Sequence, residues 1–279
     1  MTAATVVENS RPTRRRRRIS LTAFFAILRR DIVVTVRDFA SFLVQCFMQP
    51  LFFLFIFGKV LPSIGLTTSN FTALMLPGVV AFTALTGSLT GVMMPLVIDM
   101  GFGREIDDRI LSPLPVKWVA LEKILFGTLR GTVASAVIFP LGWIVLGGGY
   151  HVRADRIPEI IGMIVLTASA GAALGLLLGA SAKPEQIGVI VTVIYPPLLF
   201  TGCTYYPWSA LKSISWFQTV TLFNPLTYCS EGLRHAMVPS FHGHDLATLE
   251  FKWILLALFS FIIVARRIGA RIFYSRIVS

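Results

Sequence analysis

Charged residues are so sparse along this chain that they act as fences around its apolar runs. Asp38 and Lys59 bracket a run from Phe39 to Phe57. No residue between Lys59 and Asp99 carries a formal charge, and a second run fills Phe71 to Ile98. A third covers Ile124 to Leu146, a fourth Ile157 to Ala182, a fifth Ile187 to Gly202 and a sixth Ala247 to Ala265. Each approaches the roughly 20 mostly apolar residues that a helix needs to cross a bilayer. None alternates as a barrel strand would. The pattern predicts an all-α polytopic membrane protein with six transmembrane helices.

Two flanking patterns add further elements. In "ISLTAFFAILRRDIVVTVRD", Phe24, Ile27, Leu28 and Val34 recur at helical spacing on one side, with Arg29, Arg30 and Arg37 elsewhere. This predicts an amphipathic helix over 20–38 lying in the membrane interface. The connection over 203–246 is long, aromatic and rich in turn residues, and too apolar for a freely solvated loop. Trp and Tyr favour interfaces, so this stretch predicts short external helices, with Pro225 early in one of them. Trp208, Trp216, Phe223 and Tyr228 would form an aromatic collar there.

Composition agrees. Over 279 residues, 55 % are hydrophobic and 14 % charged, with a mean hydropathy of +0.75; a soluble domain carries about 25 % charged residues. The net charge of +11 would suggest nucleic acid in a soluble protein, but its placement points to lipid. Arg11 and Arg14 to Arg18 lie in an N-terminal tail, 1–19, and Arg266, Arg267, Arg271 and Arg276 in a C-terminal one, 266–279. The basic tails and the other loops on their side hold eighteen Lys and Arg. The opposite loops hold six: Lys59, Arg153, Arg156, Lys212, Arg234 and Lys252. The positive-inside rule then places both termini in the cytoplasm, with anionic lipid rather than nucleic acid as the partner of the arginine runs. The domain organisation is one six-span unit, 39–265, between the interfacial helix and the C-terminal tail, in a bacterial-type inner membrane.

One stretch breaks the apolar pattern. "GFGREIDDRILSPLPVKWVALEK" lies in an island, 99–123, that holds nine of the 39 formal charges, five acidic and four basic. A lipid-binding loop would be mostly basic. A short helix from Gly103 to Ile110, stopped by "SPLP", reads instead as a stiff cytoplasmic knob suited to docking a protein partner.

Catalytic signatures are missing. The chain has no HExxH pair, no phosphate-binding loop ending in Gly-Lys-Ser/Thr and no GxSxG elbow. "HGHD", His242 to Asp245, reads as a solvated turn rather than a metal site. Cys203 and Cys229 both fall in the external segment, either as a disulfide or as two buried thiols. Arg130 is the one basic residue inside a predicted span. It lies seven residues from Lys123, about 10 Å along a helix, and either snorkels to the headgroups or lines a substrate route. With no nucleotide site and no run of ionisable groups in the spans to couple to protons, uphill transport would need free energy from another chain.

The island "GREIDDRILSPLPVKWVALEKI" and the later "LFNPLTYCSEGLRHAM" resemble the membrane subunit of type-2 ATP-binding-cassette exporters, most closely the drug-resistance and nodulation-factor branch. The resemblance runs over roughly 21–274. It implies a permease that pairs with a second copy, or a close homologue, and with a separately encoded ATPase that holds ATP and Mg; this chain would hold no cofactor. It places Gly103, Arg104, Glu105, Asp107 and Arg109 on the helix that couples to the ATPase. It places Asn224, Pro225, Leu226, Thr227 and Tyr228 on external helices near the exit. The substrate would be a drug, lipid or glycoconjugate. Export of a polysaccharide or glycolipid, or a role in membrane assembly without transport, are the alternatives; an intramembrane enzyme would need ionisable pairs at depth.

Overall fold

The computed structural model describes residues 13–37, 39–66, 69–101, 116–146, 154–238 and 249–278. Every regular element among them is helical. In chain order these are α1 (Thr13–Arg37), α2 (Phe39–Phe55), α3 (Ser69–Gly101), α4 (Val116–Ala136), α5 (Ile138–Leu146), α6 (Ile157–Ser181), α7 (Ile187–Thr201), α8 (Ser215–Thr221), α9 (Pro225–Met237) and α10 (Phe251–Val278). Five segments are long and apolar enough to cross a membrane: Leu74–Met100, Trp118–Leu146, Ile157–Ser181, Pro184–Thr201 and Phe251–Arg276. The first predicted span falls short of that measure. α2 has 17 residues and continues through a π turn, Ile56–Val60, to Ser63. Pro50 inside α2 removes one backbone donor, and the π turn begins six residues later.

α3 is the centre of the bundle. Its best apolar window is 72 % buried, against 11 % for the Pro184–Thr201 segment, so α3 is wrapped by protein while α7 faces outward. Between helices in lipid there is little hydrophobic driving force, and close packing of small residues takes its place. Two glycine seams supply it. On α6, Gly171, Gly175 and Gly179 recur every four residues; a Cβ on Gly175 would lie 2.5 Å from the carbonyl oxygen of Leu89, and one on Gly171 would strike the Leu85 carbonyl. On α4, a Cβ on Gly131 would meet Ser88 Cβ at 2.7 Å. α3 is therefore gripped from two sides, parallel to α6 and antiparallel to α4. Ser88, wholly buried, hides its hydroxyl by donating to the Ala84 and Leu85 carbonyls at 2.8 and 2.9 Å.

The bundle has two chemically different ends. At one, α1 lies against α4: Phe24 is buried and meets Trp118 edge-on at 5.9 Å, and Ile27 and Leu28 pack into the same cluster. The predicted apolar side of α1 holds for these three but not for Val34, which is 53 % exposed. Asp31 takes the inward position instead, because Lys123 Nζ neutralises it at 2.6 Å. α10 also ends here. It does not stop at Ala265 as expected but stays helical to Val278, and Arg276 Nη1 donates to the Ala182 carbonyl at 2.8 Å, covering the end of α6. At the other end of the bundle sits α9, packed among α3, α6 and α10.

Candidate transport route and buried charge cluster

α9 begins with the stretch that the sequence singled out. Asn224 caps it, its side chain accepting from the Leu226 N–H at 2.9 Å, and Pro225 occupies the first turn, where its missing N–H costs nothing. The same asparagine donates Nδ2 to the Leu198 carbonyl at 3.0 Å and to Thr201 Oγ1 at 2.9 Å. Thr227 donates to the Thr221 carbonyl at 2.6 Å and Tyr228 to that of Leu222 at 2.9 Å, while Leu226 is fully buried. The C-terminal carbonyls of a helix lack partners within it; Asn224 and its neighbours satisfy those of α7 and α8. The five residues thus fasten α9 to the ends of two other helices.

Further along α9 lies a feature that charge counting misplaced. Arg234, counted from sequence with the cations of the external segment, is fully buried together with Glu231. The two form an ion pair one helical turn apart. Arg234 Nε also donates to the Leu74 carbonyl at 3.1 Å and Nη2 to that of Cys203 at 3.0 Å. Glu231 Oε1 accepts from the Trp208 N–H at 2.9 Å. One neutral pair therefore ties α9 to the start of α3 and to the turn after α7. That turn is tightly held: Cys203 has φ 51°, uncommon outside glycine, and a Cβ on Gly78 would collide with the Thr204 carbonyl. Phe57 stacks on Tyr205 at 5.6 Å, bringing the π turn that follows α2 to the same place. Cys203 and Cys229 are both buried free thiols, which settles the disulfide alternative in favour of two thiols. Burial first, and Glu231 second, push the Cys203 thiol up to about 11. The sequence carried one signal for this cluster, an acid and an arginine three residues apart on a helix that was expected to be short and interfacial.

Of the predicted collar, Trp216 and Phe223 are 70 % and 87 % exposed. Trp208 is pinned, its indole N–H donating to the Gln218 carbonyl at 3.2 Å.

Between α2, α3 and α7 runs a cleft of about 170 Å³ with a mixed lining: Gln49, Pro50, Phe82, Thr83, Thr86, Gly87, Thr90 and Tyr195. The three threonines recur along one face of α3, and each donates its hydroxyl proton to the helix's own backbone: to the carbonyls of Val79, Phe82 and Thr86, at 2.8, 2.7 and 2.8 Å. Just beyond Thr90 comes Arg130. Its guanidinium lies 4.9 Å from the Phe42 ring centre, within cation–π range. Its stem fills the space that a side chain at Gly91 would need. Arg130 is thus turned toward α2 and α3. It is not the only ionisable group inside the bundle, as the sequence suggested: Glu122 and Lys123, like Glu231 and Arg234, are essentially inaccessible.

Gly103, Arg104, Glu105, Asp107 and Arg109 lie outside the described residues, as do His242 and Asp245. Among the described residues no three His, Cys, Asp or Glu side chains gather as a metal site would require.

Residues 22–238 match the family model described as ABC-2 type transporter. Two proteins named as transport permeases are similar to this chain. One is ycf38 of Cyanophora paradoxa, 26 % identical over 226 residues that cover 77 % of this chain and 76 % of the relative. The other is ycf38 of Porphyra purpurea, 24 % identical over 215 residues covering 74 % and 71 %.

Proposed function

Because this chain belongs to the ABC-2 type transporter family, we propose that it is the permease subunit of an ATP-driven exporter, forming the membrane route for a drug, lipid or glycoconjugate. The observation that carries this reading is the cleft between α2, α3 and α7. It sets hydroxyls, an amide and a phenol against helices whose other faces are apolar. A drug-sized ligand pocket has roughly 300–1,000 Å³, so a cleft of about 170 Å³ is part of a site. A second copy of the permease, facing the exposed sides of α2 and α7, would complete it.

ATP and Mg belong on this reading to a separate ATPase subunit, which Gly103, Arg104, Glu105, Asp107 and Arg109 would engage. The α1 end of the bundle faces the cytoplasm, in keeping with the charge asymmetry, and the buried Asp31–Lys123 pair would keep α1 against the base of that coupling segment. Asn224 to Tyr228 stand at the opposite, exit end. In this position they brace the outer ends of α7 and α8.

The test is to co-purify the full chain with ABC ATPases from the same genome and measure both retention of the complex and substrate-stimulated ATP hydrolysis. Glu105→Ala with Arg109→Ala should lower both; wild-type levels of each would refute the coupling assignment. Thr86→Phe, which fills the cleft, should abolish stimulation while the complex persists, and full stimulation would refute the route. Cysteines placed at 105 and 242 decide sidedness: an impermeant reagent applied to intact cells should label only the second.

A further inference from the structure

The sequence places Arg266 onward in a basic tail, but α10 stays helical to Val278 and its last turns are built into the bundle. Ala265, Gly269 and Phe273, spaced four apart, are buried. Phe273 joins the cluster of Phe24, Val119 and Ala120, and a Cβ on Gly269 would lie 3.0 Å from the Leu177 nitrogen of α6. Arg267 and Arg271 each follow a buried residue by two positions, about 200° round the helix, and so stand on the opposite, exposed face. Tyr274 continues this face by another turn, and Ile263, Val264 and Ile268 leave it apolar around the first arginine. We infer that this face binds the phosphate of an anionic phospholipid in the cytoplasmic leaflet. Arg267 and Arg271 supply the donors, and the acyl chains lie along Ile263 and Val264.

The depth of Arg267 selects lipid over a soluble partner. Gly269 faces Leu177, before α6 ends at Ser181, and Arg276 reaches the Ser181 and Ala182 carbonyls, so the two helices run parallel. Arg267 lies two residues deeper than Gly269, which puts it about 9 Å inside the end of α6 at about 1.5 Å per residue. α6 has 25 residues. Its length of about 37 Å exceeds a hydrocarbon core of about 30 Å by only about 3–4 Å at each end. The Arg267 backbone therefore sits below the headgroups. Its Cβ tilts toward the helix N-terminus, which here points away from the cytoplasm. A cation held at that depth needs a counter-ion. Among the described residues no acid pairs with Arg266, Arg267 or Arg271. A phosphate drawn inward to two guanidinium forks meets the need, and a headgroup with no cation of its own adds no repulsion. None of these residues lines the cleft, so lipid binding here is independent of the route.

The experiment titrates tail-labelled phosphatidylglycerol and phosphatidylcholine against the full chain in detergent micelles. Phosphatidylglycerol should bind at least about tenfold more tightly. Arg267→Gln with Arg271→Gln should bring the two lipids to within about twofold of each other. Arg29→Gln with Arg37→Gln removes the same charge from exposed positions of α1 and should leave the preference within about twofold of wild type. Should the α10 pair not fold, Arg271→Lys, which keeps the charge but loses the fork, should lower the preference by a few fold. Equal binding of the two lipids to the wild type would overturn the inference. So would a preference that survives either α10 change, or one lost equally in the α1 pair. A large excess of inorganic phosphate should not displace the lipid; displacement would mark a bare anion site to which the acyl chains add nothing. If the α10 pair keeps the lipid preference but no longer retains an ABC ATPase, the face docks protein and the lipid assignment falls.

Discussion

Replacing Arg234 by methionine tests the most deeply buried polar feature of the molecule. The substitution keeps much of the stem volume but removes the partner of Glu231 and the donors to the Leu74 and Cys203 carbonyls. Glu231 keeps one hydrogen bond, from the Trp208 N–H, and remains wholly buried. Breaking a buried pair by deleting one side costs about 3–5 kcal/mol. Each orphaned carbonyl alone would cost about 1–3 kcal/mol, and these terms overlap rather than add. The uncompensated carboxylate is the larger effect, so Arg234→Met with Glu231→Gln should be less damaging than Arg234→Met alone by about 2 kcal/mol. Cys203 reports the local opening, because its own carbonyl is one of the Arg234 acceptors and its thiol is buried. In a Cys46→Ser, Cys229→Ser background, alkylation of Cys203 should accelerate by about two to three and a half orders of magnitude in the single variant, the loss of about 3–5 kcal/mol being taken at about 1.4 kcal/mol per tenfold. The double variant should regain at least part of the protection. If Arg234→Met labels at the wild-type rate and melts at the wild-type temperature, or if the double variant is worse than the single, the cluster does not hold α9 in place.

Gly175→Val should cost more than the usual 1–3 kcal/mol of core overpacking, because its Cβ would press on the Leu89 backbone; Gly162→Ala, with nothing within 4 Å, should be neutral or mildly stabilising, and monodisperse yield with thermal melting reads both. The Cys203 thiol, pushed up from 9.0 to about 11, holds about a hundredfold less thiolate at pH 8 than an unperturbed one, so its alkylation should be slow there and still climb as the pH passes 9 toward 11; a plateau near pH 9 would contradict the burial argument. Lys123→Met should leave Asp31 with only the half-exposed Arg30, at 3.3 Å, and loosen α1 by less than the about 3–5 kcal/mol of a fully orphaned buried charge, which limited proteolysis at Arg29 and Arg30 detects; unchanged cleavage would show that α1 is held by Phe24, Ile27 and Leu28 alone.

The helices were legible in the sequence where charge and apolarity change together. α6 and α7 end within a residue of the boundaries that Arg156, Lys183 and Gly202 suggest, since lipid requires long apolar helices and the fences are polar. The start of α9 at Pro225 was legible for the same local reason: a helix N-terminus depends on residues that are neighbours in the chain. The first span was not, because Pro50 and the π turn interrupt a helix whose composition alone looks continuous. The buried pairs were hidden by distance. Asp31 meets a lysine 92 positions away, and Arg234 meets the carbonyls of Leu74 and Cys203. A count of charges assigns each to water, and only packing shows that a partner has replaced it. The cleft required the same knowledge, since Gln49, Thr86 and Tyr195 come from three helices, and no one of them is unusual in its own.

The two glycine seams grip α3 along Ala84 to Leu96, and the prolines within this helix, Pro77 and Pro95, stand near the two ends of that stretch. Proline removes a rung of the helical ladder and admits bending. The helix is thus a keyed shaft with a pliable joint near each end. Axial slip in its middle would drive side chains into backbone, so displacement arriving at Gly101 would have to move α4 and α6 along with it. At the far end the shaft meets Arg234 through the Leu74 carbonyl. Over the 27 residues from Leu74 to Met100, about 40 Å at 1.5 Å per residue, a push would cross both joints, so the keyed middle would travel as one piece while the two ends swing.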